Sequence, residues 1–332
     1  MSRTNKALLH ALFSAAAAAA LCPQSASAGT FASAILEINN FRILHSNGAV
    51  YRNTDFSKLI GVNDAHATAS LNDVVKGKSA IGAMPNVAHQ CVGAPCPAFG
   101  ENNFTPYHSL LPMHGNFAYA DQNFIGSAIS MNGAAAGARS QTRADAATSR
   151  NMQFANSNSS VGSSNTMLFQ LGASDTMTFS FEATPFAMAY ASPEGRSVTT
   201  ANARISWSVS IVEIATGETV FTYAPAEINA MATVSRTHGA HGTSLYKPAG
   251  TFIPLGDTSG LLAANRYYQI TVQHNTLVSA LQHEIPEPAS LALLGTGLFA
   301  MMVCRRSGQR RPLHLLRLPR LPHLPRLPYL RA

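Results

Sequence analysis

Charged side chains are scarce in this sequence. Asp, Glu, Lys and Arg make up 12 % of the 332 residues, and tryptophan occurs once. The formal charge of +7 suggests an anionic partner, but it belongs to the ends of the chain. Setting aside Arg3, Lys6 and the eight arginines from Arg305 to Arg331 leaves 13 basic against 16 acidic residues, a net of −3 for residues 29–304. That middle part has no Lys/Arg cluster with interleaved aromatics, so nucleic acid is excluded as a partner. Also missing are a G-x-S-x-G elbow, an H-E-x-x-H helix and a Walker loop, the short patterns that mark serine hydrolases, zinc proteases and nucleotide enzymes. A long amphipathic helical period is absent as well.

Cysteine is nearly absent too, with four in the chain. Cys22 lies in an N-terminal stretch that has Arg3 and Lys6, an apolar region from Ala7 to Leu21, and the small residues Ala26-Ser27-Ala28. Basic, apolar and small-residue regions in that order form a secretory signal peptide over residues 1–28, with cleavage after Ala28 and Gly29 as the new N-terminus. Leu21 and Pro23 flank Cys22 poorly for lipidation. Cys304 falls in an apolar run. Cys91 and Cys96 remain, five positions apart with Gly93 and Pro95 between them. In an oxidising compartment such a pair is read as one disulfide closing a small loop. A redox dithiol normally has two intervening residues, and a zinc site needs further ligands, of which only His89 is near.

What the chain does contain is alternation. Ile205, Trp207, Val209 and Ile211 alternate with Arg204, Ser206, Ser208 and Ser210, and Met177, Phe179 and Phe181 alternate with Thr178, Ser180 and Glu182. Such a period of two places one set inward and the other toward solvent, with Trp207 in the core. Phe186, Met188 and Tyr190 continue the pattern after Pro185. Ala215-Thr216-Gly217-Glu218 turns the chain into Thr219–Tyr223, and a last strand runs from Tyr267 to His274. Upstream, strands are expected over Ala34–Leu44, Phe56–Val62, Ala67–Leu71 and Phe117–Met131, with a turn at Asn47-Gly48. Asp73–Thr105 reads as an irregular surface excursion pinned by the disulfide. Ala134–Ser164, poor in large apolar residues, reads as an exposed edge or a flexible loop. The expected fold is therefore all-β, a two-sheet, jelly-roll-like sandwich over residues 29–284.

Candidate chemistry is thin against this background. His238 and His241 are the tightest pair of possible metal ligands, without a third nearby, and His108 and His114 read as loop residues. Asp121, Asp145, Asp175 and Glu182 could supply the two carboxylates of a glycosidase, but solvated strand edges account for them as well. Tyr107, Tyr119, Tyr246 and Tyr267 could present faces to sugar rings, or simply pack. No catalytic residue, metal or cofactor is assigned.

The most specific pattern lies near the C-terminus. Pro286-Glu287-Pro288 fixes an extended backbone, and the uncharged run Ala289–Cys304 follows, about 24 Å long as a helix. Arg305-Arg306 then places positive charge where a cytoplasmic face requires it. A buried core helix or an ordinary tail anchor needs neither the prolines nor the basic pair. The three parts in this order resemble a PEP-CTERM sorting signal over residues 285–306, with a transmembrane helix at 289–304. Ala69-Ser70-Leu71-Asn72, the Cys91–Cys96 loop, Glu101–Pro106, Tyr119-Ala120-Asp121 and Trp207–Ile211 are similar to the EDSAP-type subgroup. The resemblance implies export across the inner membrane of a Gram-negative bacterium, transient anchoring, and recognition by an exosortase, a membrane-embedded cysteine-type transpeptidase or protease. It also implies a place at the cell surface or in the matrix, with exopolysaccharide and biofilm. The expected function is a non-enzymatic matrix component, with a carbohydrate-binding module or a polysaccharide hydrolase as alternatives. Residues 307–332 repeat Leu-Pro with Arg or His and depart from that pattern. Proline at that density forbids a helix.

Overall fold

The computed structural model describes residues 29–94, 96, 101–106, 115–150, 152–192, 197–235, 241–249 and 252–284. The signal peptide with Ala26 and Ala28, the sorting signal with Pro286, Glu287, Pro288, Arg305 and Arg306, and the Leu-Pro tail lie outside them, as do Tyr107, His108, His114 and His238. Among the described residues no helix is long and apolar enough to cross a membrane.

The described residues form fourteen strands in order: β1 (Thr30–Leu44), β2 (Phe56–Leu71), β3 (Val74–Gly82), β4 (Gln90–Ala94), β5 (Asn116–Ile125), β6 (Ala138–Thr148) and β7 (Gln153–Leu171). Then come β8 (Thr178–Ala191), β9 (Ser197–Glu213), β10 (Thr219–Tyr223), β11 (Met231–Ser235), β12 (Gly242–Tyr246), β13 (Ile253–Thr258) and β14 (Tyr267–Glu284). They form two seven-stranded sheets, larger than the four-stranded layers of a jelly roll. Sheet I has the order β12-β8-β1-β6-β5-β4, with β13 on the same edge of β8 as β12. Sheet II has the order β10-β9-β14-β7-β2-β3, with β11 beside β10 on β9. All strand pairs are antiparallel, and the sheets meet where β1, β5, β6 and β8 pack on β2, β7, β9 and β14.

The expected alternation is present. Ile205, Trp207, Val209 and Ile211 are buried, as are Met177, Phe179 and Phe181. Pro185 sits inside a central stretch of β8, which a missing N–H normally forbids. β12 pairs with residues 187–191 and β13 with residues 178–183, so on that edge Pro185 falls in the gap between them, where no donor is needed.

Two expectations are corrected. Ala134–Ser164 is neither an edge nor a loop: it holds β6 and β7, each flanked by strands on both sides. Its small residues are buried because the sheets approach closely there. Ala144, Ala146 and Ala155 are fully buried, together with Ala32, Ala34, Ala187, Ala201 and Ala203. The gap is so narrow that Ser157 and Ser159 of β7 donate hydrogen bonds across it to the backbone carbonyls of Asp145 and Asp121. Asp73–Thr105 is likewise more regular than expected, since β3 and β4 lie within it. Asn72 and Asp73, with φ of 47° and 67°, take the left-handed pair of conformations that suits a two-residue hairpin turn between β2 and β3.

At the other end of the sandwich the layer is thick. Trp207 contacts Phe41, Phe181 and Tyr223, with ring centroids 5.9, 4.5 and 6.2 Å away, and Phe179 stacks on Phe41 and Phe221. The core is thus a wedge, alanine-lined at one end and aromatic at the other. Ala34→Leu, at the thin end, is expected to lower unfolding stability by about 1–3 kcal/mol through overpacking. Urea denaturation measures this, and an unchanged midpoint would show that the gap has room to spare.

Candidate functional site

Three constellations of polar side chains stand out, and each is assembled by strand register. The first lies on the outer face of sheet I. Phe117, Tyr119 and Asp121 of β5 alternate outward, and the register sets Arg143 opposite Asp121 and Asp145 opposite Tyr119 on β6. Arg143 donates through Nε to Asp145 at 2.6 Å, and Tyr119 donates its hydroxyl to Asp121 at 3.1 Å. The segment Glu101–Pro106 lies over them. The Asn102 amide donates to Asp121 at 2.8 Å, and Arg143 donates to the carbonyls of Asn103 and Thr105 at 2.9 and 3.1 Å.

Phe104 closes this second core, packing with Phe31, Ile35, Phe117, Phe186 and Met188. The disulfide Cys91–Cys96 is formed, with a Cα–Cα separation of 6.1 Å, just ahead of the covering segment. Gly93 inside the loop has φ 99°, and a Cβ there would collide with the Asn116 carbonyl, so the loop requires glycine. His89 stacks on Tyr119 at 5.3 Å and bonds Glu101, tying the cover down from its other side.

Burial pushes the Asp121 carboxyl up, against the hydrogen bonds from the Asn102 amide and the Tyr119 hydroxyl. Burial and the neighbouring Asp121 also push the Tyr119 hydroxyl up. The structure thus brings two of the four candidate carboxylates onto adjacent strands. Both Asp121 and Asp145 are fully buried, so a sugar chain has no path to either. Asp175 and Glu182 lie elsewhere, the latter exposed on β8. Of the candidate sugar platforms Tyr119 is buried, Tyr246 donates its hydroxyl to the Glu227 carbonyl, and Tyr267 is exposed. His241 is exposed, and no cluster of metal-binding side chains occurs among the described residues.

The second constellation is His45, held between two carboxylates. Nδ1 lies 2.6 Å from Asp175 and Nε2 lies 3.0 Å from Asp55, while the ring stacks on Tyr51 with centroids 3.6 Å apart. Although burial opposes it, hydrogen bonds from Ser46, His45 and the Thr176 amide hold Asp175 down at about 2. This clasp joins the turn after β1 to the segment before β8.

The third is His274, fully buried on β14. It reaches from sheet II to sheet I and meets Ser140 Oγ at 2.8 Å, Thr142 Oγ1 at 3.0 Å and the Leu36 carbonyl at 3.1 Å. Burial lowers it to about 3, so the ring is neutral. A carbonyl only accepts, hence Nε2 carries the proton and Nδ1 accepts from the Ser140 hydroxyl. His274 and Ser140 line a cavity of about 620 Å³ between the sheets. Neither His45 nor His274 was singled out by spacing, because their partners come from distant strands.

The described fold is an antiparallel two-sheet sandwich whose last strand ends at Glu284. Residues 284–307 match the PEP-CTERM protein-sorting motif, which agrees with the reading of Pro286-Glu287-Pro288, the apolar run and Arg305-Arg306. The motif implies an exported protein sorted by an exosortase in a Gram-negative bacterium. No curated protein and no solved structure matches the chain.

Asp175 contributes a pH dependence whose sign follows from its direction. A carboxyl held below its unfolded value of about 3.9 adds stability above that value and loses it as pH falls through about 2. Asp175→Asn is therefore expected to be less stable than the parent by about 1–2 kcal/mol near pH 6, discounted for partial exposure. The difference should shrink as both are acidified toward pH 2. Urea unfolding at several pH values checks it, and a gap that stayed constant would assign the effect to packing instead.

Proposed function

We propose that this chain is a non-enzymatic component of the extracellular matrix, exported through its signal peptide, held briefly in the inner membrane by residues 289–304, and processed by an exosortase near Pro286-Glu287-Pro288. The observation that carries the reading is the match of residues 284–307 to the sorting motif. Its position supports separability. Among the described residues all fourteen strands end by Glu284, and β14 lies between β9 and β7, so a cut within or beyond the Pro-Glu-Pro leaves every described strand pairing in place.

The ectodomain of residues 29–284 then remains with its own disulfide, and the Leu-Pro tail of residues 307–332 is discarded. Exopolysaccharide is the partner this reading assigns at the destination. The carbohydrate-module alternative is weakened by the burial of Tyr119, and the hydrolase alternative by the burial of Asp121 and Asp145 beneath Glu101–Pro106. Low charge and scattered Ser, Thr and Asn on the outward strand positions favour a neutral, hydrated surface in a polymer matrix.

Intact-mass measurement of the protein recovered from the cell surface tests processing. The expected species begins at Gly29 and lacks Cys304 and everything after it. Replacing Pro286-Glu287-Pro288 with alanines should retain the full C-terminus in the membrane fraction. Full-length chain on the cell surface would overturn processing. Matrix association has its own test, since the ectodomain should migrate more slowly through a gel containing the producer's exopolysaccharide than through an empty gel. Equal migration would remove the polymer as partner.

A further inference from the structure

The cavity between the sheets is a consequence of irregular strands. β1 carries one extra residue relative to both its neighbours, between Ile38 and Phe41 against β6 and between Asn39 and Arg42 against β8. β7 carries extra residues between Val161 and Thr166 relative to both its neighbours. Both irregularities are flanked by cavity-lining residues, Ile38 and Phe41 in β1 and Val161 and Thr166 in β7. A bulge bends its strand and increases local twist, so one in each sheet at the same level holds the sheets apart. Elsewhere in the sandwich the same sheets close on alanine. The space of about 620 Å³ is within the roughly 300–1,000 Å³ of small-molecule sites.

Its chemistry is narrow. Phe41, Trp207 and Ile270 form buried walls, and Met84 and Met131, both exposed, mark the mouth. No Asp, Glu, Lys or Arg lines it among the described residues, and its one titratable side chain, His274, is committed to sheet I through three contacts. The proton of the Ser140 hydroxyl goes to His274 Nδ1, which leaves the Ser140 oxygen as an acceptor in the wall. A carboxylate would meet neither a cation nor that proton, whereas an alcohol could donate to Ser140.

We propose that this cavity is a binding site for an uncharged lipophile, an alkyl chain bearing a hydroxyl, with the hydroxyl donating to Ser140 Oγ and the chain lying against Phe41, Trp207 and Met84. The site is independent of the sorting reading and stands whether or not the tail is cut.

Trp207 supplies the reporter. It is the single tryptophan of the chain and lines the cavity, so its emission reports on occupancy there. The full-length chain is titrated with 1-decanol and with decanoate at pH 8. A saturable change in Trp207 emission is expected with 1-decanol, at least tenfold weaker with decanoate. Ser140→Ala should weaken 1-decanol about fivefold while leaving binding of decane unchanged, as loss of one hydrogen bond requires. Ala138→Leu, which projects into the cavity, should abolish the emission change without lowering the thermal midpoint. Absence of a saturable response to 1-decanol, or equal affinity for decanoate, overturns the proposal on the unaltered chain. So does full binding by a folded Ala138→Leu variant.

Discussion

The distance between the two sheets is the constraint on which the rest of this structure depends. At one end it is short enough for Ser157 and Ser159 to hydrogen-bond the backbone of the facing sheet, and only alanine fits beside them. At the other end Phe41, Phe181 and Trp207 fill a much thicker layer. A uniform sandwich packs its faces about 10 Å apart and fills the space with side chains of mixed size. Here size is sorted along the strands instead. Two twisted sheets that diverge toward one end impose this sorting, and the inward positions of β1, β8 and β9 change from Ala to Phe or Trp accordingly.

His274 stands at the level of this divergence. An imidazole buried without charge is costly unless its nitrogens are satisfied, and here both are, by partners on the opposite sheet. It therefore spans the layer at the level where packing alone has begun to fail, beside the cavity. Its neutrality follows from burial, and its tautomer from the Leu36 carbonyl. A substituted apolar side chain could occupy the same volume, but it would leave Ser140 and Thr142 facing the interior without this partner.

Legibility in the sequence follows the same gradient. Where large apolar residues alternate, as from Ile205 to Ile211, strand, face and the core position of Trp207 could be read directly, because bulk must be buried. Where alanine and serine do the packing, as in β6 and β7, the sequence carried no such signal, since small residues suit a narrow gap and an exposed loop equally. The disulfide was legible from compartment and spacing. The pairing of Arg143 with Asp145, and their cover by Glu101–Pro106, was not, because it depends on the register of β5 against β6 and on a loop folding back over a sheet. The sorting motif was readable in full because its chemistry is linear: two prolines, an apolar run and two arginines act through their order in the chain.

That difference explains why destination and fold separate so cleanly in this protein. A linear address needs no partner strand, so it can follow the last described strand directly. β14 shows how close the two come, since its final residue is also the first of the matched motif. Pro286, two residues on, has no backbone N–H to donate. In sequence the address thus begins on the residue where the last described strand ends, and its first proline lacks the donor that a strand would need.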